Sequence, residues 1–501
     1  MSSAPQMSRH AQTPGSTGDV LSRLPEPQQR LVALLARAVG DLGGELYLVG
    51  GGVRDILLGE QGPADLDFAT SLRPDQVRVV GETLPNVRVY DIGEKFGTIG
   101  FVIQDPELVP ATDDDHSLRP DPDIVEITTY RSEAYEPGSR HPAVMFGDSI
   151  EADLGRRDFT VNAIAVNAAT GEIVDPWYGQ ADLATGTLRA VGDPGERFAE
   201  DPLRLLRAAR FAAQLGFVIE PNTLAAMSEQ AEALKTVSVE RIYHEITRLL
   251  CAPYADHGLD VLLETGLLTI AMPELLPLEG AAYGHPGIHR EKDLWDHTKR
   301  VVMQSPPRPT VRWAALLHDA AKPLTRTIDN RGEVHFFGHE HVGADMAGTL
   351  LRRLNADRKT IRDVCRLVEL HLRPAGYDAA TWTDSAVRRL ALEVGDLMPD
   401  LLDLVAADVT SARAHKQRAA AARVQGLRDH LARLEEQAAL EQLQSPLDGN
   451  ELMEMFDRPP GKWIATVKNH LRELVIDGDL APDDKETAAR IARELVASMD
   501  E

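Results

Sequence analysis

Residues 46–70, "LYLVGGGVRDILLGEQGPADLDFAT", gather three consecutive glycines, an Arg-Asp pair and an Asp-Leu-Asp triplet. Alternate residues of a strand point to the same face, so a strand over 65–69 sets Asp65 and Asp67 side by side. Two adjacent carboxylates repel unless a cation lies between them. Hard oxygen donors of this kind suit Mg²⁺, which also binds substrate phosphates. A solvated loop is the other reading of an isolated D-x-D. The context favours chemistry. Gly50, Gly51 and Gly52 let backbone amides approach an anion closely. A short helix over 53–58 then aims its N-terminus at that anion, and Arg54 in its first turn can clamp a phosphate through two N–H donors. Paired carboxylates beside a phosphate cradle are the parts of an in-line displacement at phosphorus. A dinucleotide loop fits poorly, because the glycines do not form G-x-G-x-x-G and no βαβ unit with an acidic residue ~20 positions on follows.

A second charged pattern lies in "RFAEDPLRLLRAARFAAQLGF", residues 197–217. Read as one helix, it sets Asp201, Arg204 and Arg207 along a single face. An aspartate accepts from an exocyclic amine, and an arginine donates to a ring nitrogen or carbonyl. Cytosine and adenine carry an amine where uracil and guanine carry a carbonyl, so such a pair could admit CTP and ATP with protein as the template. A salt-bridged surface helix is the alternative. In "GRRDFTVNAIA", 155–165, Arg157 and Asp158 are charged groups that need partners if buried, whereas Phe159 and Ile164 read as core. Glu126 is open between a third carboxylate at the site and an edge-strand surface charge.

The elements that must carry these residues divide the chain unevenly. With 501 residues, more than one core is expected. A helix is expected over 26–41, and strands over 46–49, 65–69, 87–90, 98–103 and 124–130. The acidic, Pro-rich stretch 105–122 reads as a surface insertion, and from about residue 190 onward nearly everything reads helical. The fold class is α+β: a small mixed-sheet head followed by a long all-α body. The expected segments are a disordered leader (1–24), the head (25–188), a helical neck (189–280), a helical domain (290–425) and a C-terminal helical region (426–501). No apolar run approaches the ~20 residues that span a bilayer. Two cysteines make no disulfide framework and point to a reducing cytoplasm. The net charge of −25 argues against broad nucleic-acid binding but not against a local basic cleft.

G-G-x-V-R-D-x-L-L-G followed by D-x-D resembles the nucleotidyltransferase head of the tRNA CCA-adding enzyme and bacterial poly(A) polymerase family. "GRRDFTVNAIA", "DPWYGQADL" (175–183), the 197–217 block and "SVERIYHEITRLL" resemble its further motifs in the same order, over roughly residues 25–275. The resemblance implies Mg²⁺ on Asp65 and Asp67, with Glu126 near it. It places Gly51, Gly52, Arg54 and Arg157 on the triphosphate, Asp158 on the ribose, and Asp201, Arg204 and Arg207 on the base. The implied activity is CTP/ATP-dependent addition of the 3′-terminal CCA of tRNA, with release of pyrophosphate. The alternatives are a poly(A) polymerase or a partial C- or A-adding enzyme. "IGEKFGTIGFV" (92–102) lacks the Arg-Phe-Arg block expected of the polymerase.

A second ligand set lies downstream. "LWDHTKRVV", "WAALLHDAAKP" and "FFGHEHVGADMA" space His297, His318-Asp319, His339 and His341 along the chain, resembling the HD superfamily of metal phosphohydrolases. Imidazoles with a carboxylate suit Mn²⁺, Ni²⁺ or Co²⁺ better than Mg²⁺. The late Asp of that pattern is expected at Asp408, with Asp403 next, and His339, His341 and His371 are candidates for a second ion. An HD phosphohydrolase with a vestigial head is a third reading of the whole chain. It predicts broken head motifs, and these are intact. Cations including Arg241, Arg248, Arg352, Arg353, Arg413, Lys416 and Arg418 are candidates to hold tRNA, and the 445–480 region, with Pro460-Gly461-Lys462 opening a helix, resembles the family's tail. The expected partners are the tRNA 3′ end, CTP and ATP, with no membrane and no stable protein partner.

Overall fold

The computed structural model describes residues 20–60, 65–93, 97–109, 124–134, 143–283, 292–409, 414–442, 445–477 and 479–499. It divides into two compact units, residues 1–365 and 366–501. Of the expected leader, residues 1–19 lie outside the described residues. Val20–Arg23 forms a 3₁₀ turn with Val20 and Leu24 buried, so ordered structure starts before residue 25. Most of the expected insertion (110–123) also lies outside, as do Arg413 and residues 94–96.

The first unit opens with α1 (Glu26–Asp41), β1 (Leu46–Val49), α2 (Gly51–Leu58), β2 (Asp67–Thr70), α3 (Pro74–Thr83), β3 (Val87–Gly93), β4 (Thr98–Ile103) and β5 (Ile124–Thr129). A hairpin of β6 (Arg131–Ala134) and β7 (Ala143–Phe146) follows, then α4 (Ile150–Gly155), β8 (Ala165–Asn167) and β9 (Ile173–Val174). Seven strands form one sheet in the order β3-β4-β5-β2-β1-β8-β9. Only the β2–β5 pairing is parallel, so the sheet is mixed, as expected. Strand β1 is an unbroken apolar run because both its faces are covered: all four residues are buried. On β5 the pattern alternates, with Val125, Ile127 and Thr129 buried and Glu126 and Thr128 half-buried, so one face is left for function.

The rest of the unit is helical, apart from short strand pairs. It contains α5 (Gly179–Thr185), α6 (Pro194–Glu200), α7 (Leu203–Leu215), α8 (Pro221–Glu229), α9 (Val239–Leu250), α10 (Ala255–Glu264), α11 (Leu267–Ala271), α12 (Leu294–Gln304), α13 (Pro309–Leu317), α14 (Lys322–Thr325), α15 (His339–Arg353) and most of α16 (Arg358–Leu370). Helix α7 is the axis of the neck, with ten of its residues buried. The second unit holds α17 (Asp384–Val394), α18 (Met398–Ala407), α19 (Ala414–Gln442), α20 (Gly449–Phe456), α21 (Lys462–Asp477) and α22 (Lys485–Met499). The last three share a core that includes Leu452, Val467, Leu471 and Ala492. Among the described residues, no helix is long and apolar enough to cross a membrane.

Three local expectations are corrected. Helix α2 begins at Gly51, not Val53, so Gly51 and Gly52 form its first turn and the bend falls on Gly50 alone. Strand β2 begins at Asp67, with Asp65 in the segment leading into it. Leu66 between them is buried, which keeps both carboxylates on the side away from the core. Asp201 is not helical. It ends α6 in an extended conformation (φ −142°, ψ 99°), and α7 starts two residues later. The signal was present in the sequence: Asp201 precedes Pro202, and the residue before a proline is pushed out of the helical region.

Candidate active site

Asp67 and Glu126 are direct partners in the parallel β2–β5 register. Because β5 lies inside the sheet, between β4 and β2, the edge-strand reading of Glu126 falls, and the register sets Glu126 beside Asp67. Burial and then the charges of Asp65 and Glu126 push the Asp67 carboxyl up to about 7, against a smaller opposing effect of Arg157. Asp65 is raised by burial and by Asp55, with Arg248 opposing, and Glu126 is raised by burial and by Asp65. Three acids that resist ionising together form a donor set short of positive charge. A hard divalent cation relieves that repulsion, so these residues fit Mg²⁺.

The anion cradle lies on the β1/β8 side. Gly50 caps α2 with φ 78° and ψ −139°, a conformation that a side chain would strain. A Cβ there would stand 3.2 Å from Arg157 Nη1 and 3.8 Å from Asp67 Oδ2, so glycine also keeps the cradle against the carboxylates. Arg54 is held by Asp55 (2.8 Å) and donates to Asn162 Oδ1 (2.9 Å). Arg157 is anchored on Asp153 at 3.3 Å, and its buried Nε has no hydrogen-bond acceptor among the described residues. Arg157 lines the cleft, and a guanidinium there offers N–H donors to a phosphate oxygen. The cleft that holds these groups measures about 670 Å³.

Helix α7 and the turn before it supply the other wall, in an arrangement that differs from the expected row of three. Arg204 is buried and pinned by Glu200 (2.6 Å), the Arg197 carbonyl (3.0 Å) and the Arg156 carbonyl (2.8 Å). Asp201 accepts from the Leu203 N–H (3.1 Å) and pairs with Arg241 of α9 at 2.9 Å. Both still line the cleft. Arg207 turns to Asp158, donating from Nε at 2.7 Å. Asp158 also accepts from Asn162 and the Phe159 N–H, and Arg207 with these hydrogen bonds outweighs burial and holds its carboxyl below the usual range. Arg207 therefore fixes Asp158, and both line the same cleft as Asp201 and Arg204.

In the HD region the first unit brings His297 (α12), His318 and Asp319 (after α13) and His339 (α15) together. His297 Nε2 and His318 Nε2 lie 3.1 and 3.2 Å from Asp319 Oδ2, and His339 Nε2 lies 3.5 Å from Asp319 Oδ1. His318 Nδ1 and His339 Nδ1 meet the Ala315 and Phe336 carbonyls at 2.8 and 2.7 Å, which turns both Nε2 atoms inward. Burial alone would raise the Asp319 carboxyl, yet His318 and the hydrogen bonds of the three imidazoles hold it well below the usual range. Three imidazoles around a carboxylate fit a transition ion. His341 does not join them, its side chain being 69% exposed. Asp403, Asp408 and His371 belong to the second unit. There Asp403 pairs with Arg428, Asp408 caps α18 and His371 Nδ1 meets the Val368 carbonyl at 2.6 Å.

The family description "Poly A polymerase head domain" matches residues 46–189, "Probable RNA and SrmB-binding site of polymerase A" matches 216–278, and "HD domain" matches 294–413. The CCA-adding enzyme of Geobacillus sp. (strain WCH70) is 30% identical over 461 residues, 91% of this chain and 94% of that one. The chain belongs to the CCA-adding enzyme family. The A-adding tRNA nucleotidyltransferase of Deinococcus radiodurans is 35% identical over 357 residues, 68% of this chain and 79% of that one. Among solved structures, the Bacillus stearothermophilus CCA-adding enzyme in complex with CTP matches with a TM-score of 0.57 and 25% identity, covering 95% of this chain and all of that chain (100%).

Within this family frame, sequence reasoning missed several cleft residues. Asn162 bridges Arg54 to Asp158. Phe211 lies under three guanidiniums, those of Arg54, Arg207 and Arg210 (5.5, 5.4 and 4.1 Å to its centroid). Arg241 and Arg248, candidates to hold tRNA, line this same cleft, and their seven-residue spacing on α9 was the signal for a shared face. Arg353 is tied to Glu274 at 2.8 Å, a structural pair.

Proposed function

We propose that this protein rebuilds the 3′-terminal CCA of tRNA, using CTP and ATP and releasing pyrophosphate. The observation that carries the reading is the register of Asp67 with Glu126, with Asp67 lining one cleft together with Gly50, Arg157, Asp201 and Arg204. Asp65 and Asp67 would hold Mg²⁺, which would neutralise their charge and supply Lewis-acid activation of the reacting phosphate. Gly50, Arg54 and Arg157 hold the triphosphate and stabilise the charge that grows on pyrophosphate as it leaves. Glu126 faces the attacking 3′-hydroxyl. Asp158, braced by Arg207 and Asn162, keeps lone-pair capacity for a ribose hydroxyl. Asp201 accepts from the exocyclic amine of cytosine or adenine, and the pinned Arg204 presents fixed donors to the ring edge. The Gly51 and Gly52 amides belong to the same cradle at the start of α2.

The division into head, neck, HD region and C-terminal helices belongs to this proposal and is supported by the separate family matches. So does a cytoplasmic location, where tRNA is processed. His297, His318 and Asp319 are proposed to hold a transition ion such as Mn²⁺, Ni²⁺ or Co²⁺, with hydrolysis of phosphate esters as a second activity. The Deinococcus relative keeps a narrower reading in view, addition of the terminal A alone. Incubation of tRNA lacking its last three nucleotides with Mg²⁺ and CTP, ATP or both separates them. Growth by C-C with CTP and by C-C-A with both supports the proposal. Incorporation of A alone on C-C-ended tRNA supports the narrower reading, and long A tails contradict both.

A further inference from the structure

Eight arginines line the cleft, and seven of them form an ion pair with a carboxylate of the fold. Arg248 of α9 is the exception. Among the described residues its guanidinium makes no ion pair and no hydrogen bond. A guanidinium is always charged and carries five N–H donors, so Arg248 offers a whole cation to whatever enters.

Its place on α9 says what that ligand is. Arg241 and Arg248 are seven residues apart, about two turns or about 10 Å along the helix, and both line the cleft. Arg241 is tied at 2.9 Å to Asp201, the residue proposed to meet the base. Arg248 reaches the other end. Its charge favours ionised Asp65 and disfavours charged Arg210, in each case as a smaller effect than burial. Asp55, which pairs with Arg54, acts on the same Asp65 carboxyl. Arg54 and Arg210 also share the Phe211 ring, at 5.5 and 4.1 Å from its centroid. Arg248, Asp65, Arg210 and Arg54 therefore gather at one end of the cleft, and Arg54 is the triphosphate clamp of the proposed reaction. Helix α9 runs from the base end to the phosphate end.

A polyphosphate brings several negative charges to this end, beside carboxylates that repel it. Arg210 is committed to Glu245 in a buried pair, and Arg54 to Asp55. Of the eight arginines, only Arg248 can turn to a new anion without abandoning a carboxylate of the fold.

We infer that Arg248 is a further nucleotide-binding residue, which donates to the terminal phosphates of the incoming triphosphate and stays with pyrophosphate as it leaves. This rests on the proposed nucleotidyl transfer. Fixed donors that meet the charge growing on a leaving group lower the barrier to its departure. Arg248 thus complements Arg54 and Arg157 from the opposite wall.

Calorimetric titration of the full chain with inorganic pyrophosphate, CTP and CMP tests this without catalysis. In Arg248→Gln the Kd for pyrophosphate and for CTP is expected to rise about tenfold. The Kd for CMP, which lacks the terminal phosphates, should stay within about twofold of the parent. Arg248→Lys, which keeps the charge but not the planar fork, is expected to recover part of the loss. Steady-state kinetics then separate nucleotide from RNA: in Arg248→Gln the KM for CTP and for ATP should rise together, with the KM for trimmed tRNA at the parental value. If the parent transfers no nucleotide, the functional proposal fails, and the pyrophosphate titration still decides this one. Parent-like affinity for pyrophosphate and CTP in Arg248→Gln overturns the assignment. So does an equal weakening of CMP, which would mark a structural role, or a rise confined to the tRNA KM, which would give Arg248 to the RNA.

Discussion

Two aspartates, Asp67 in the head and Asp319 in the HD region, stand at the centres of the two candidate metal sites, and their surroundings push them in opposite directions. Asp67 is half-buried among acids and is raised to about 7. Asp319 is more completely buried, yet it is held well below the usual range by the imidazoles around it. Burial opposes ionisation at both, so the sign is set by the neighbours. The head site carries its charge deficit as a standing repulsion that a divalent cation relieves. The HD site is balanced by its own nitrogens and by Lys322, 2.6 Å from Asp319 Oδ2. A site that needs its cation for balance is suited to bringing polyphosphates in with Mg²⁺; one that is balanced without it keeps its carboxylate ionised and in place whether or not a metal is bound.

The largest effect that would break this contrast is on catalysis. Asp67→Asn should lower nucleotide incorporation by at least about 1,000-fold, with the fold intact by circular dichroism; near-normal rates would remove Asp67 from the site. The same substitution should raise the thermal midpoint by a few degrees in metal-free buffer at pH 8, because it removes a charge that the fold disfavours. Asp319→Asn should do the reverse, costing about 3 kcal/mol, since it leaves Lys322 without its counter-charge and the three imidazoles without the carboxylate they meet.

The pH dependence sharpens the comparison. The folded Asp67 carboxyl is raised, so its contribution to stability is fully present below the ordinary carboxylate value of 3.8 and is lost as pH rises through about 7. Metal-free protein should therefore lose stability between about pH 4 and 7 on this account, and millimolar Mg²⁺ should restore it. Asp319 is lowered, so its contribution is present above 3.8 and is lost only as pH falls below that value. Chemical denaturation at several pH values, in parent and Asp67→Asn protein, measures the difference. A pH slope unchanged by the substitution counts against it.

Smaller effects test the supporting residues. Arg207→Met should cost about 3 kcal/mol by leaving Asp158 buried without its cation, and should raise the KM for both nucleotides. If only the choice between CTP and UTP changed, Arg207 would be reading the base after all. His341→Ala should leave transition-metal binding by the HD region unchanged, measured by calorimetry, whereas His318→Ala abolishes it. Equal losses would mean that His341 turns inward.

The sequence made the head unusually legible, because its signals are local. Two carboxylates separated by one buried leucine, and glycines at the start of a helix, are signals contained within a few residues. The strand periods likewise pointed to a mixed sheet. What could not be read depends on distant pairing. Whether Glu126 sits at an edge or beside Asp67 is decided by the parallel pairing of β5 with β2, which the sequence of β5 does not encode by itself. Arg207 and Asp201 were expected on one helix because charge spacing was weighed above Pro202, and their true partners, Asp158 and Arg241, lie 49 and 40 residues away. His339 and His341 look equivalent in "FFGHEHV", and only the start of α15 turns the first inward and the second out.

The proposed transfer of nucleotides to a tRNA end rests on the Asp67–Glu126 face. It is tested most directly by single-nucleotide-resolution extension of trimmed tRNA with CTP, ATP and Mg²⁺, for the parent and for Asp67→Asn at matched folded concentration. The account predicts growth that halts after C-C-A in the parent and no detectable growth in the variant. Extension by the variant at the parental rate, or no extension by the folded parent, would contradict it.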